Sequence, residues 1–185
     1  MQKSKRHFRK ALALIGIFAI CTFFLVYLGI WSSYKHRLFD PVLQDRQNIT
    51  EHPGVHGITM YEFPVVSDDP NTAPKYSVMM YYPTLFKFNG SYDISQNVFV
   101  DEKGHNVGEC QCSLRVRPSI FHESEYEWWI TDLTRGNQIA YHFKTTENMD
   151  IVENDTANDP QTAITKYQEH VQAMLNLVDE YFISH

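Results

Sequence analysis

The sequence predicts an α+β protein: one N-terminal transmembrane helix, then a curved antiparallel β-sheet packed by a C-terminal amphipathic helix. Three observations predict it. The run Ala11 to Trp31 (ALALIGIFAICTFFLVYLGIW) holds no charged residue. The middle of the chain is a succession of short runs rich in strand formers and separated by turn residues. Near the end, Asp159-Pro160 opens a segment whose apolar residues recur at helical spacing.

The uncharged run is long enough to span a bilayer, since ~21 residues rising ~1.5 Å each cover roughly 30 Å. Lys3, Lys5, Arg6, Arg9 and Lys10 precede it, and only Lys35 and Arg37 follow closely. That imbalance predicts a plasma-membrane protein with its N-terminus in the cytoplasm and its C-terminal domain outside. Tyr27 and Trp31 fall near the outer end, where amphipathic rings favour the interface. A cleaved signal peptide has a shorter apolar core of ~7–15 residues and a small-residue exit, which this run lacks. A lipoprotein needs a small residue before its modified cysteine, whereas Ile20 precedes Cys21. The organisation is therefore a basic tail (1–10), a spanning helix (11–31), a juxtamembrane linker (32–37) and an acidic extracellular α+β domain (38–185).

In that domain, Asp40-Pro41 offers an N-cap and a proline at the first helical position, opening a short helix near Pro41–Gln47. Pro53-Gly54 and Gly57 mark a break. Gly57–Val66, with Ile58, Met60 and Phe63 as apolar points, reads as extended, and Ser67–Asn71 reads as a turn. Tyr76–Tyr82 is a strand that Pro83 ends or bulges. Leu85–Phe88 runs into Asn89-Gly90, a hairpin-turn signal. Asn97–Val100 is followed by a turn at Glu102-Lys103-Gly104.

The clearest strand is Glu109–Arg117. Cys110, Cys112, Leu114 and Val116 share one face, Gln111, Ser113, Arg115 and Arg117 the other, and Pro118 stops the run. Glu125–Thr131 follows. Arg135-Gly136-Asn137 then turns into Gln138–Lys144, where Ile139, Tyr141 and Phe143 alternate with Ala140, His142 and Lys144. Short strands joined by turns argue for a meander with one wet face. A polar stretch, Thr145–Asp159, leads to a helix running to about Ile183. Its stripe of Ile164, Tyr167, Val171, Met174, Val178 and Tyr181, widened by Leu175 and Phe182, must be buried, and the sheet is the available surface.

Charge bounds the function. All 22 acidic residues lie beyond Arg37. A domain that acidic is repelled by nucleic acid and other polyanions and suits a basic protein partner. Cys110 and Cys112 lack the second pair of ligands a zinc site needs. Cα atoms two apart on a strand sit near ~6.7 Å, at the long limit for a disulfide, so two buried thiols are expected. His52 and His56 meet only on a helix, which Pro53-Gly54 breaks, and His105, His122, His142, His170 and His185 are scattered. No nucleophile elbow, phosphate-cradling glycine loop, metal motif or cofactor motif is present, so no catalytic residue is assigned.

One segment stands out for binding: Glu123-Ser124-Glu125-Tyr126-Glu127-Trp128-Trp129. On a strand, Glu123, Glu125, Glu127 and Trp129 line one face while Tyr126 and Trp128 face the core. A row of carboxylates with a tryptophan beside it is a candidate surface for a basic protein. Three Asn-x-Ser/Thr sequons, at Asn48, Asn89 and Asn154, fit glycosylation in a eukaryotic host, but the scarcity of cysteine fits a Gram-positive surface protein better.

This layout resembles the TipC-type immunity proteins of Gram-positive bacteria. The likeness lies in the basic tail, the single anchor, the helix around Phe39-Asp40, the β-rich outward domain and the C-terminal helical stretch around Lys166-Tyr167. The Cys110/Cys112 and Trp128-Trp129 pairs have no counterpart in that pattern. The resemblance implies a non-enzymatic inhibitor that binds a secreted toxin directed at the lipid-linked cell-wall precursor. Two rival expectations are a cell-envelope enzyme, which needs a carboxylate or histidine pair in a cleft, and a structural subunit of a membrane complex, which needs an anchor that recognises a partner. Gly16 and Gly29 are too far apart to form a small-residue helix face.

Overall fold

The computed structural model describes residues 2–44, 46–53, 58–66, 75–100, 106–135 and 139–183. The turns expected at 67–71, 102–104 and 136–137, the break at 54 and 57, and His56, His105 and His185 lie outside these residues.

The chain is α+β, as the sequence predicts. Helix α1 (Gln2–Leu38) is followed by α2 (Asp40–Gln44). Ten strands come next: β1 (Thr50–Pro53), β2 (Thr59–Phe63), β3 (Tyr76–Tyr81), β4 (Ser91–Gln96), β5 (Phe99–Val100), β6 (Asn106–Val107), β7 (Cys110–Arg117), β8 (Glu125–Asp132), β9 (Ile139–Thr145) and β10 (Ile151–Asn154). Helices α3 (Pro160–Lys166) and α4 (Gln168–Val178) and a π-turn (Asp179–Ile183) end the chain. Eight strands form one sheet in the order β1-β2-β3-β4-β7-β8-β9-β10, and β5 and β6 make a separate ribbon. Every pairing is antiparallel. The sheet is open, with β1 and β10 at its edges.

One face of the sheet is the core. Val78 and Met80 of β3, Tyr92 and Ile94 of β4, the alternate residues Cys110, Cys112, Leu114 and Val116 of β7, Tyr126, Trp128 and Ile130 of β8 and Phe143 of β9 are all buried there. The alternation read from Glu109–Arg117 is present residue for residue. On β9 the alternation is interrupted: a register shift after Ile130 pairs Thr131 with Ile139 rather than Ala140. The inserted residue turns Ile139 outward, where it is exposed, while Phe143 stays buried.

The C-terminal stripe covers this face. Ala163, Tyr167, Val171, Met174, Val178, Tyr181 and Phe182 are buried. Asp159 caps α3 by accepting from Gln161 N (3.2 Å) and Thr162 Oγ1 (3.0 Å), with Pro160 at the first helical position. The single helix expected from 160 to 183 is broken at Tyr167, whose ψ of 30° leaves the helical region; it closes α3 and opens α4. The break carries Lys166 to Asp132 at the end of β8, at 2.9 Å. Thr134 and then Lys166 hold the Asp132 carboxyl well below the usual carboxylate range, which ties the helical layer to the sheet.

Residues 10–38 make a helix long and apolar enough to cross a membrane. It does not stop at Trp31. The stretch 32–37, expected to be a linker, is helical and docks on the domain: Tyr34 is buried, and Tyr92 donates its hydroxyl to the carbonyl of Leu38. Phe39 then plugs the sheet, fully buried among Tyr34, Tyr82 and Tyr92. Asp40 opens α2 and accepts from the Tyr82 hydroxyl. Tyr92 also stacks on Phe182 at 3.9 Å, and the Arg46 guanidinium lies 4.0 Å from the Tyr181 ring, so the segment that follows α1 and the C-terminal π-turn pack together.

Leu85–Phe88 is not a strand, and Asn89-Gly90 is not a two-residue hairpin turn. The β3–β4 connection is the whole of 82–90. Asn89 Oδ1 accepts from Thr84 N (3.0 Å) and Thr84 Oγ1 (3.2 Å), pinching the loop shut, and Gly90 is where Phe39 lies against the backbone. Strands β1, β4, β6 and β10 lie outside the strands that the sequence predicts. The edge strand β10 is exposed along its length, and β4 (SYDISQ) buries Ser91 and Asp93 on one side with Tyr92 and Ile94 on the other, so neither carries a period-2 hydrophobic signal.

Candidate functional site

Among the described residues, no element covers the face of the sheet opposite the helices. Its side chains follow from the register. Asp93, Arg115, Glu127, Lys144 and Glu153 are cross-strand neighbours in turn on β4, β7, β8, β9 and β10, forming one row of alternating sign. Cross-strand opposite charges stabilise a sheet where like charges destabilise it.

The ion pairs match this order. Arg115 grips Asp93 with two charge-assisted bonds, Nε to Oδ1 at 2.9 Å and Nη2 to Oδ2 at 2.6 Å. Arg117 lies 2.7 Å from Glu125 and 2.6 Å from Glu127. His142 faces Glu127 with Nε2 (3.0 Å) and Asp155 with Nδ1 (3.1 Å). Lys144 reaches Glu153 at 2.6 Å and Glu125 at 3.8 Å. Burial pushes the Glu127 carboxyl up, but its bonds to His142 and Arg117 outweigh that and hold it below its ordinary value.

An aromatic–cation stack runs beside this row. The Trp129 ring lies against the His142 imidazole (centroids 5.1 Å, 13° apart) on one side and 5.5 Å from the Arg115 guanidinium on the other. Arg115 in turn sits 6.0 Å from the Tyr81 ring. The series Tyr81–Arg115–Trp129–His142 therefore spans five adjacent strands, β3 to β9 through β4, β7 and β8, as one ordered, half-exposed surface.

The structure brings three of the four sequence-predicted binding residues together. Glu125, Glu127 and Trp129 share the open face, while Tyr126 and Trp128 are buried behind them. Glu123 precedes β8 and is exposed in the preceding loop, off the row. The expected unbroken line of carboxylates is corrected. Glu125 and Glu127 are matched by bases that β7 and β9 place in register, and Glu127 is buried rather than free. Tyr81, Arg115 and His142 were not anticipated as site residues, because only strand pairing brings them to Trp129.

This pairing makes Glu125 and Glu127 behave differently when reversed in charge. Glu127→Lys would place a cation beside Arg117 and His142 at a position that is itself buried, and a loss of about 2–3 kcal/mol in unfolding free energy is expected, less than for a fully enclosed pair because Arg117 is partly solvated. Glu125→Lys, on the half-exposed rim, should change stability by less than about 1 kcal/mol. Chemical denaturation of the two variants side by side checks the contrast.

Elsewhere, the Cys110 and Cys112 thiols are free, buried and 3.7 Å apart. Hydrogen bonding to Cys110 and burial push the Cys112 thiol far up. His52 pairs with Glu62 at 2.9 Å. Among the described residues, no three His, Cys, Asp or Glu side chains gather as a metal site.

The fold and this face together define an open antiparallel sheet backed by helices, packed against the end of an apolar helix and presenting a polar, aromatic-centred surface. Comparison with known protein families, curated proteins and solved structures finds no match for this chain.

Proposed function

We propose that this chain is a membrane-anchored, outward-facing binding protein that engages a protein partner through the open face of its sheet and does no chemistry of its own. The observation that carries this reading is the Tyr81–Arg115–Trp129–His142 stack. Tryptophan, tyrosine and arginine dominate binding energy at protein interfaces. Here ion pairs and stacking already hold them, so little side-chain freedom is lost when a partner docks. The paired charges around the stack serve as a polar rim, and Glu123, Glu125, Glu153 and Asp155 leave it with an acidic margin that suits a basic partner. The apolar helix, with basic residues concentrated before it, supports a cytoplasmic N-terminus and an extracellular domain.

The resemblance in layout to TipC-type immunity proteins gives the proposal its concrete form. The partner is a secreted toxin acting on the lipid-linked wall precursor of a Gram-positive bacterium, and this chain neutralises it at the outer surface of the plasma membrane.

The test is capture by the full-length protein in nanodiscs from the secreted proteins of the producing organism. Stoichiometric retention of one basic polypeptide by wild type, and its loss by Trp129→Ala, is expected. Equal retention by both would remove the stack from the interface. Empty capture from fractions that contain the secreted proteins would remove the binding reading itself and favour an envelope enzyme.

A further inference from the structure

The β3–β4 loop touches the apolar helix at an unusual depth. The Phe86 ring packs edge-on against both Phe24 (5.9 Å) and Trp31 (5.6 Å). These two helix residues are two turns apart, about 10 Å along the axis, so Phe86 lies between their levels, roughly 5 Å to the N-terminal side of Trp31. Three hydrogen bonds fix it there. Tyr27 donates to the Phe86 carbonyl, Trp31 Nε1 to the Thr84 carbonyl (3.2 Å) and Tyr34 to the Gly90 carbonyl (3.4 Å). The loop therefore moves with the helix as one body.

The same end of the sheet exposes further apolar surface. Leu85 and Phe121 are each two-thirds exposed, and Phe88 bridges Phe121 to the helix, 5.9 Å from Tyr27 and 6.0 Å from Phe121. Phe121 comes from a different hairpin, β7–β8, whose tip lies beside the β3–β4 loop because Tyr92 pairs with Val116. Two separate loops thus bring large apolar side chains to the same end of the sheet, beside α1. Loop 84–90 contains Lys87 and no acidic residue, while in the β7–β8 tip the exposed Glu123 follows Phe121 by two residues, a carboxylate that stays with the headgroups.

We infer that the tips of the β3–β4 and β7–β8 loops, through Leu85, Phe86, Phe88 and Phe121, form a foot embedded in the outer headgroup–acyl boundary of the bilayer. The inference rests on α1 spanning the membrane. Given that, Trp31 marks the outer interface, and Phe86 must enter the lipid because it is bound below that level. The exposed Leu85 and Phe121 are covered by lipid at the depth of about 5–10 Å that interfacial apolar groups reach. Lys87 stays with the headgroups while its neighbours enter. The domain is consequently held in a fixed orientation on the membrane, without a swinging tether, and the open sheet face is presented at a constant height.

The experiment uses the full chain in phosphatidylcholine nanodiscs whose acyl chains carry bromine at shallow positions, with tryptophan emission as the readout. Leu85→Trp is compared with wild type and with Val66→Trp, which is exposed at the opposite end of the sheet. The emission added by Leu85→Trp should shift to shorter wavelength and lose more than about half its intensity to the bromolipid, while that added by Val66→Trp is unchanged. If native Trp31 is quenched but Leu85→Trp behaves like Val66→Trp, the foot is overturned and the spanning helix stands. If bromolipid quenches no tryptophan in any variant, the spanning helix fails and the foot with it.

Discussion

Trp128→Ala is expected to lower the unfolding free energy of the domain by about 4 kcal/mol, the largest effect of any single substitution considered. Trp128 sits on β8, an interior strand with neighbours on both sides, and is wholly inaccessible to solvent. Its ring stacks on Phe143 (centroids 6.3 Å, 15°), and its Nε1 donates to Thr145 Oγ1 at 3.2 Å. Truncation removes the largest side chain of the core, opens a cavity between β8 and β9, and takes away the donor that Thr145, itself buried, accepts from. For a domain of this size the change corresponds to a melting temperature lower by about 10 °C. Far-ultraviolet circular dichroism of the full chain in micelles measures it. Trp129→Ala, one residue along and on the opposite face, should cost less than about 1.5 kcal/mol, because its ring is partly solvated and its neighbours retain their ion pairs. A comparable loss for both tryptophans would contradict the two-faced account of β8.

The second large effect is expected at Phe39. Phe39→Ala should cost about 3–4 kcal/mol, since the ring is fully buried among three tyrosines and nothing adjacent can collapse into its place. Gly90 is the other half of this arrangement. A Cβ there would lie 2.6 and 2.9 Å from Phe39 Cε1 and Cε2, so Gly90→Ala should cost about 1–3 kcal/mol through overpacking. The two are coupled through one volume. In a Phe39→Leu background, Gly90→Ala should lose most of its penalty, a non-additivity that a double-mutant cycle in urea reads directly. The same packing sets where the domain begins. Tyr34 and Phe39 belong to its core, so a soluble fragment cut at residue 38 discards Tyr34 and is expected to be less stable than one that retains the last turns of α1.

Much of this architecture was readable from residue pattern. The apolar helix, the β7 alternation, the Asp159-Pro160 cap and the stripe through Val171, Met174 and Val178 are local signals, each set by one residue type at one spacing. What escaped was set by partners distant in the chain. Helix α1 runs on to Leu38 because Tyr34 finds a place against Phe88 and Phe39, which no property of residues 32–37 foretells. Ser91 and Asp93 look like loop residues until Arg115, 22 positions on, closes over the carboxylate. The helix breaks at Tyr167 where the chain brings Lys166 to Asp132, 34 residues away. The candidate site divides in the same way. Pattern alone placed Glu125, Glu127 and Trp129 on one face, because strand periodicity is local. It could not supply Arg117, His142 and Lys144 as their partners, because those follow from register, and register turned an apparent acidic strip into a paired network around an aromatic centre.

The central claim is that this face, and Trp129 above all, binds a protein partner. Its most direct test is titration of the captured polypeptide onto the full chain in nanodiscs, with wild type and Trp129→Ala measured together. The account predicts that Trp129→Ala weakens affinity by about 30-fold or more, the scale of an interface hot spot, with the melting temperature of the variant close to wild type. Affinity within twofold of wild type in a folded Trp129→Ala protein would contradict it.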